Sequence, residues 1–439
     1  MAGTTATEIR FHPLRETLYD ELHTRPFFAV ATPQRYSYLA ISAHPQEQEQ
    51  AFELLCQFCR KYGVEEPVPK STGFHKSFGA FTIKWERHAE FYTISVINPA
   101  PFSGNPFAEP AIKLMPGEWL ARLPGEVVAA FHLVLVGSDY PTTDEDLNRY
   151  FEGYRFSISR TRKDKATIYN AFRLHSDRFG RLLVRNQGMT DEQSGRLIRR
   201  LIEVETYRLF AVMPLPLAKQ LMPQLAEMDR SLADYLTELS KLTANEDERK
   251  LLQELSKMEA RLETWRTQTN RRFSAAKAYH EMLLDRLERI GEVKIEGFTT
   301  LGEFMRRRLD PALRTCASVH SWMDDLSQRI KRASDLLRTR ANLTLQEQNR
   351  SLLGAMNRRS RLQFRLQETV EGLSVVAISY YLVGLINYLL YGLPLGEWGL
   401  QKPVLVAAAV PLVLGYVLWL TRRIKQRLIK TPLVDEDGE

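Results

Sequence analysis

The chain has 439 residues and a formal net charge of +7, which is too long for one compact core, so two soluble lobes and a membrane part are expected. Arginine and lysine are concentrated beside apolar segments, so the positive charge indicates a cytoplasmic membrane flank rather than nucleic-acid binding. The many charges in the first thirty residues argue against a secretory signal. Three cysteines, Cys56, Cys59 and Cys316, are typical of a reducing compartment without a disulfide framework.

The first 190 residues predict a mixed α/β domain. After an irregular or short-helical segment over 1–34, an amphipathic helix is predicted at 45–62. Alternating or β-branched runs predict strands at 36–42, 81–85, 91–97, 127–136, 156–159, 166–174 and 181–185. The run 127–136 is almost continuously apolar, which indicates a strand near the centre of a sheet. Cys56 and Cys59 have Cys-x-x-Cys spacing but lie within the predicted helix, which favours two buried thiols one turn apart.

From Thr190 the hydrophobic pattern has a helical period. The first helix is expected to break at Met213-Pro-Leu-Pro, and two long helices are expected over 217–242 and 246–290. Helix resumes over 299–309. Asp310-Pro311 has the form of an N-cap followed by a proline at the first helical position, so it predicts the start of a stalk helix. The predicted domains are therefore 1–190, 191–310 and 311–371, followed by the membrane part.

The C-terminal region predicts a transmembrane hairpin. Residues 372–393 and 403–420 are uncharged and long enough to cross a hydrocarbon core of about 30 Å, and 394–402 forms the turn. Basic residues flank the outer ends of both spans, which predicts that both termini are cytoplasmic. The turn is then expected outside the cell membrane, and the tail over 421–439, which is basic and then acidic, is expected in the cytoplasm. The basic residues at these outer ends are expected to contact lipid headgroups; they are Arg358, Arg359, Arg361, Arg365, Arg422, Arg423, Lys425 and Arg427. The expected fold class is α+β, with a continuous stalk helix and a two-helix hairpin.

Five residues of the stalk and first span are candidates for lining a pore. Asn342, Asn349, Met356 and Gln363 recur every seven residues and therefore share one helix face. Asn387 lies deep in the first span, where an amide faces a partner or a water-filled space rather than lipid. A solvated face and helix–helix hydrogen bonding are the alternatives.

Two segments resemble a known bacterial family. His12-Pro-Leu-Arg, followed by Glu21-Leu-His-Thr-Arg-Pro, resembles the opening signature of a family of uncharacterised membrane-anchored proteins, and 338–359 with 367–374 resembles its second hallmark. The resemblance covers nearly the whole chain and implies membrane anchoring without an established reaction. The signature residues could clamp the N-terminus onto the domain or bind an anion; they are His12, Arg15, Glu21, His23 and Arg25.

The layout of the chain is also similar to that of CorA-type magnesium channels. Those channels have an N-terminal α/β domain, a long helix that continues into the first span, and Gly-Met-Asn at its outer end. Here Gly384-Leu-Ile-Asn387 has one residue more. This similarity implies a pore formed by the stalk and the first span, and a divalent cation as the transported species.

Enzyme signatures are absent from the sequence: there is no glycine-rich phosphate loop, zinc motif or nucleophile elbow. The leading hypothesis is therefore a non-enzymatic inner-membrane protein without a cofactor, an oligomeric scaffold or sensor whose partners are membrane lipids and further copies of itself. A CorA-like cation channel or transporter is the alternative. A third class is a membrane-attached enzyme that uses the region from His12 to Arg25.

Overall fold

The computed structural model of the chain describes residues 11–15, 19, 28–239, 245–392 and 402–429. The chain divides into two compact units, Met1–Ser334 and Asp335–Glu439. The first unit contains a nine-stranded sheet and long helices, and the second contains apolar helices, so the predicted α+β class is confirmed. The finer domain boundaries stay predictions.

One mixed sheet organises the first unit, in the order β2-β3-β4-β1-β5-β8-β7-β6-β9. Its strands are β1 Gln34–Ser42, β2 Gly73–Ser77, β3 Thr82–Arg87, β4 Phe91–Asn98, β5 Glu126–Val136, β6 Ser157–Thr161, β7 Ala166–Asn170, β8 Gly180–Asn186 and β9 Glu292–Lys294. The apolar strand β5 is the fifth of nine, as its composition predicted. It pairs antiparallel with β1 and parallel with β8, whereas the other pairings are antiparallel.

Eight α-helices belong to the described residues: α1 Pro45–Tyr62, α2 Gly117–Ala121, α3 Asp144–Tyr150, α4 Asp191–Val212, α5 Leu215–Leu239, α6 Asn245–Ile290, α7 Leu301–Tyr391 and α8 Lys402–Ile429. The predicted starts of α1 and α4 are confirmed. Thr190 caps α4, accepting a hydrogen bond from the Gln193 N–H while the Gln193 side chain accepts one from the Thr190 N–H, which is a capping box.

Helices cover both faces of the sheet. On one face, Phe52 and Leu55 of α1 belong to the same core as Ile83 and Trp85 of β3. On the other face, the buried side chains of α4 join the β1 and β5 side chains that alternate toward it; this core includes Tyr38, Phe131, Leu133, Leu197, Leu201 and Val204. The alternation along each strand therefore buries apolar side chains on both faces.

Cys56 and Cys59 are free, buried thiols on α1, as the helical pattern predicted. Burial raises the pKa of Cys59 to about 11. The thiolate is the reactive form, so this environment makes the cysteine a poor nucleophile at neutral pH.

The predicted helix start at Asp310-Pro311 is wrong, because α7 begins at Leu301 and passes through Pro311 without interruption. Thr300 and Glu303 supply the true cap: the Glu303 N–H donates to Thr300 Oγ1 and the Thr300 N–H donates to the Glu303 carboxylate. Proline removes one backbone donor, but buried residues continue on both sides of it. They are Leu301, Met305, Leu309, Cys316, Val319 and Met323. The packing of this continuous apolar stripe therefore outweighs the tendency of Asp310-Pro311 to begin a new helix.

Ion pairs join the helices of the first unit. Arg329 of α7 lies 2.6 Å from Asp229 of α5. Arg266 of α6 lies 3.2 Å from Asp324 of α7. In the second unit, α7 and α8 form a small apolar core of their own around Val375, Val413 and Val417.

The segment 28–30 packs closely against α4. The Val30 N–H donates to the Asp191 carbonyl oxygen at 2.9 Å. A Cβ atom at Gly195 would overlap the carbonyl oxygen of Phe28. Glycine at this helical position therefore permits the segment to lie against the helix.

We expect Gly195→Ala to destabilise the first unit, although alanine normally stabilises a helix by about 1 kcal/mol relative to glycine. The added methyl group must displace the 28–30 segment, so thermal and urea unfolding should show a clear loss of stability. Gly117→Ala is the control, because a Cβ at this helical glycine meets no atom within 4 Å. Equal or higher stability for Gly195→Ala would contradict the close approach.

Candidate functional site

A cavity of about 190 Å³ lies between the sheet and α4 in the first unit. Strand β3 explains its polar wall. Ile83 and Trp85 belong to the core on the α1 side, so Thr82, Lys84 and Glu86 alternate onto the cavity side. The apolar part of the lining comes from β1, β4 and α4, and includes Tyr36, Tyr38, Phe91, Ile198 and Ile202. The lining of the cavity therefore combines polar and apolar side chains.

Charges of both signs line this cavity. Lys84 Nζ lies 3.0 Å from Glu86 Oε2, and the two side chains are only 21% and 17% exposed. Burial raises the pKa of Glu86, but the ammonium group of Lys84 and other nearby cations more than offset this, so the pKa lies below its ordinary value. On α4, Arg199 Nε lies 3.0 Å from Glu203 Oε1. An acidic and a basic side chain are thus paired on each of the two facing elements.

This arrangement suits a small molecule with a polar end and an apolar body. The polar end would meet the acid–base pairs, and the apolar body would meet Tyr38 and Ile202. Sequence reasoning missed this site. The signal in the sequence is the opposite charge of Lys84 and Glu86, which are two residues apart on β3. This spacing places both side chains on the face of the sheet that α4 covers.

A second polar cluster lies in the interior beside β1 and β5. Ser37 Oγ lies 2.9 Å from His132 Nδ1, and His132 Nε2 lies 3.6 Å from Asp177 Oδ2. This order resembles the relay of a serine nucleophile. However, Ser37 has 0% exposure, and its Oγ already accepts the Ile112 N–H at 2.9 Å. The cluster therefore joins β1 and β5 to the short 3-10 helix Ala111–Leu114 and to the loop of Asp177, and its serine is buried away from solvent.

Arg181 extends this cluster toward the surface. Its guanidinium lies 2.7 Å from Glu152 Oε1 and 3.5 Å from Asp177 Oδ2. Burial raises the pKa of Asp177, but the hydrogen bond with His132 and the charge of Arg181 are among the contacts that hold it well below its usual range. Burial lowers the pKa of His132 despite the nearby carboxylate. The neutral imidazole is therefore the form that the fold stabilises.

The predicted pore-lining residues lie on α7 in the second unit. Their side chains are exposed: Asn342, Asn349, Met356, Gln363 and Asn387. The heptad interval places the first four on one face of the helix. No described residue covers that face.

The predicted headgroup contacts lie at the polar ends of the apolar stretches. Arg358, Arg359, Arg361 and Arg365 are exposed on α7, and Arg422 and Arg423 are exposed on α8. The guanidinium carbon of Arg423 lies 4.8 Å from the centroid of the Trp419 ring. Lys425 and Arg427 lie on α8, but their side chains are outside the described part of the chain.

The N-terminal signature is described only in part. His12 and Arg15 are exposed, the Arg15 N–H donates to the His12 carbonyl oxygen at 2.9 Å, and the Arg15 guanidinium lies 4.3 Å from the centroid of the Phe11 ring. Glu21, His23 and Arg25 lie outside the described residues. Whether the five residues act together therefore stays a prediction. Within the described ranges, no group of three or more His, Cys, Asp or Glu side chains could hold a metal ion.

The fold thus defines an α+β protein with two helices, α7 and α8, that are long and apolar enough to cross a membrane. Residues 10–428 match the family described as "Protein of unknown function (DUF3422)", and the chain belongs to this family. No curated protein matches the chain. The family match confirms the predicted resemblance to an uncharacterised family.

The buried imidazole predicts a loss of stability in mild acid. An unfolded histidine takes up a proton near pH 6.5, whereas folded His132 stays neutral to lower pH. The unfolded chain then binds more protons, so the free energy of unfolding falls as the pH decreases below about 6.5, by up to about 1.4 kcal/mol per pH unit for one group. Above that pH the contribution of His132 is fully present.

Urea unfolding between pH 7.5 and 5 measures this effect. His132→Gln should lower stability at pH 7.5, since it breaks the contacts with Ser37 and Asp177, and should also reduce the pH slope. The slope should not vanish, because burial lowers the pKa of His75 and His175 as well. An unchanged slope would show that His132 titrates alike in both states. His320→Gln is the control, because this histidine is 42% exposed.

Proposed function

We propose that the chain is a membrane-anchored, non-enzymatic protein of the bacterial inner membrane that holds a large cytoplasmic unit as an oligomeric scaffold or sensor. The supporting observation is the nature of its two apolar helices. In each helix, only 11% of the residues in the 18-residue apolar stretch are buried. A core helix of a soluble protein would bury most of them, whereas lipid would cover them in a membrane.

The ends of these helices support the same proposal. The exposed arginines before the first apolar stretch and those near the end of the second are the pattern of a hairpin whose outer ends face the cytoplasm. Trp419 with Arg423 stacked on it matches the aromatic and basic belt at a membrane interface. Tyr380, Tyr381 and Tyr388 are 78%, 72% and 79% exposed, and a lipid-facing surface provides a reason for such large exposed rings.

The cavity beside α4 supports the role as a sensor. It lies between the sheet and a helix, it is lined by polar and apolar side chains, and its ionic groups are paired and largely buried. Small-molecule sites typically combine an apolar lining with a few well-placed polar groups. A ligand there would contact α4, β1 and β3 at once, so its binding would stabilise the first unit.

Membrane extraction tests the anchoring. The full-length chain should stay in the membrane fraction after alkaline carbonate washing, and external protease should cleave the first unit only after the inner membrane is permeabilised. Leu412→Arg should reduce the retained fraction, because leucine here is 74% exposed and a central arginine costs about 3 kcal/mol on insertion. Thr421→Arg, at the basic end of α8, is the matched control. Release of the unmodified chain by carbonate would overturn the proposal.

A CorA-like cation channel or transporter is the second candidate. The observation that favours it is the exposed Asn387 on an otherwise apolar stretch of α7, together with the polar heptad face on the same helix. An amide exposed at membrane depth needs a hydrogen-bonding partner or water. A divalent cation passing between copies of α7 would bring that water.

Ion flux into proteoliposomes distinguishes the two candidates. If the chain conducts divalent cations, Asn387→Ala should change the flux several-fold, whereas Asn357→Ala, on the cytoplasmic part of α7, should leave it unchanged. The scaffold or sensor predicts no flux from either protein under any gradient. If both Asn387→Ala and Asn357→Ala keep the full flux, the cations cross the membrane by a path that does not involve Asn387.

A further inference from the structure

A single heptad register continues from the cytoplasmic part of α7 into its apolar part. With Asn342 assigned to position a, the a positions are Asn342, Asn349, Met356, Gln363, Val370, Ala377 and Gly384. The d positions are Leu345, Leu352, Arg359, Leu366, Leu373, Tyr380 and Asn387. We call these a and d residues the seam. The intramembrane candidate Asn387 therefore lies on the same seam as the polar heptad residues.

The charges of the cytoplasmic part avoid this seam. Eight charged residues occur between Asn342 and Leu373, and seven of them occupy positions b, c or f; these are Glu347, Arg350, Arg358, Arg361, Arg365, Glu368 and Glu371. Arg359 at position d is the exception. Positions e and g, which flank the seam, carry no charge at all. A helix that is solvated on every side has no reason to separate its charges in this way.

Helix α8 leaves the seam open. The residues of α7 that pack with α8 are Val375, Leu382, Val383 and Ile386, which occupy positions f, f, g and c. Ser379, which is buried beside them, is also a c residue. Tyr380 at position d is 78% exposed and Asn387 is exposed as well. The core that α7 forms with α8 therefore contains f, c and g residues and no a or d residue, so α8 lies mainly on the side of α7 away from the seam.

We propose that the seam from Asn342 to Asn387 packs, parallel and in register, against the same seam in further copies of this chain. The parallel direction rests on the proposed function, because copies inserted into one membrane with one topology must run the same way. Parallel packing sets each a or d residue against its own equivalent. An asparagine amide can both donate and accept, so Asn342 and Asn349 are complementary to themselves, and a buried asparagine at position a fixes the register.

The apolar part of the seam suits the same partner. Ala377 and Gly384 at successive a positions lack bulky side chains, which lets helix backbones approach closely in lipid. Asn387 follows at position d, where its amide meets the amide of another copy. In hydrocarbon such pairs contribute about 1 kcal/mol to helix association. One surface thus combines a water-phase coiled-coil pattern with a membrane-phase helix-packing pattern.

Arg359 opposes this packing. In a parallel assembly its guanidinium groups face one another at position d, and like charges at that distance repel. Removing the charge should therefore strengthen association, and salt should do so to a smaller degree through screening. Arg358 is the adjacent arginine at position c, outside the seam, so it provides a matched comparison.

Cysteine cross-linking of the full-length chain in its native membrane tests the seam. Asn349→Cys places a thiol at position a, and Asn357→Cys places one at position b of the same helix. The natural cysteines are buried and give little background. A disulfide requires Cα atoms within about 7 Å, so mild oxidation should yield at least tenfold more linked dimer for Asn349→Cys than for Asn357→Cys. Equal yields, or no dimer from Asn349→Cys, would overturn the proposal.

Detergent dilution of the purified chain provides the second measurement. Arg359→Leu should lower the concentration at which the oligomer dissociates by tenfold or more, whereas Arg358→Leu should leave it unchanged. A similar shift for both variants would mean that arginine acts through overall charge, and the seam would be wrong. Carbonate washing of the membranes used for cross-linking separates the seam proposal from the anchoring proposal. If the chain stays in the membrane fraction but Asn349→Cys forms no linked dimer, only the proposed seam contact is wrong. If Asn349→Cys forms the dimer but the chain is released from the membrane, only the proposed anchoring is wrong.

Discussion

One carboxylate connects the start of α7 to the edge of the sheet in the first unit. Glu292 of β9 accepts hydrogen bonds from the N–H groups of Leu301 and Gly302 at 3.0 and 2.7 Å and from the Ser159 hydroxyl at 2.7 Å. A negative charge at a helix N-terminus is favourable because it meets unpaired N–H groups and the positive end of the helix dipole. Ser159 belongs to β6, which pairs with β9 at the edge of the sheet. One side chain thus fixes where the longest helix begins relative to the sheet.

This contact, together with the packing of the apolar stripe of α7, explains why the helix-start signal at Asp310-Pro311 failed. Asp310-Pro311 has the residues of a helix start, and sequence reasoning placed the stalk there. The cap at Thr300, with Glu292 beyond it, supplies partners for the N-terminal N–H groups ten residues earlier, so the chain is already helical when it reaches the proline. Glu292 could not be recognised as a cap from the sequence because its role depends on β9 pairing with β6, a contact between residues more than one hundred positions apart.

Other parts of the fold could be predicted because their causes are local. The capping box at Thr190, the apolar run of β5 and the helical spacing around Cys56 each specify structure within a few residues. The cavity and the cluster around His132 could not be predicted. Lys84 and Glu86 resemble the solvent face of a strand until α4 is placed over them, and Ser37, His132 and Asp177 come from three distant segments. Both features exist because tertiary packing encloses polar side chains of the sheet and then requires partners for them.

The second unit shows the opposite relation between sequence and structure. Its heptad pattern can be read from the residues alone, but the pattern does not say whether the seam is occupied within the chain. The structure adds that α8 packs on positions c, f and g of α7 and on no a or d residue, so the chain's own second helix leaves the seam without a partner. The seam leucines Leu345, Leu352, Leu366 and Leu373 are between 56% and 75% exposed. Burying such leucines against another copy stabilises each of them by about 2 kcal/mol. In the assembly proposed above, the asparagines would select the partner, because an amide is matched by another amide in register and is left unpaired against an arbitrary apolar surface.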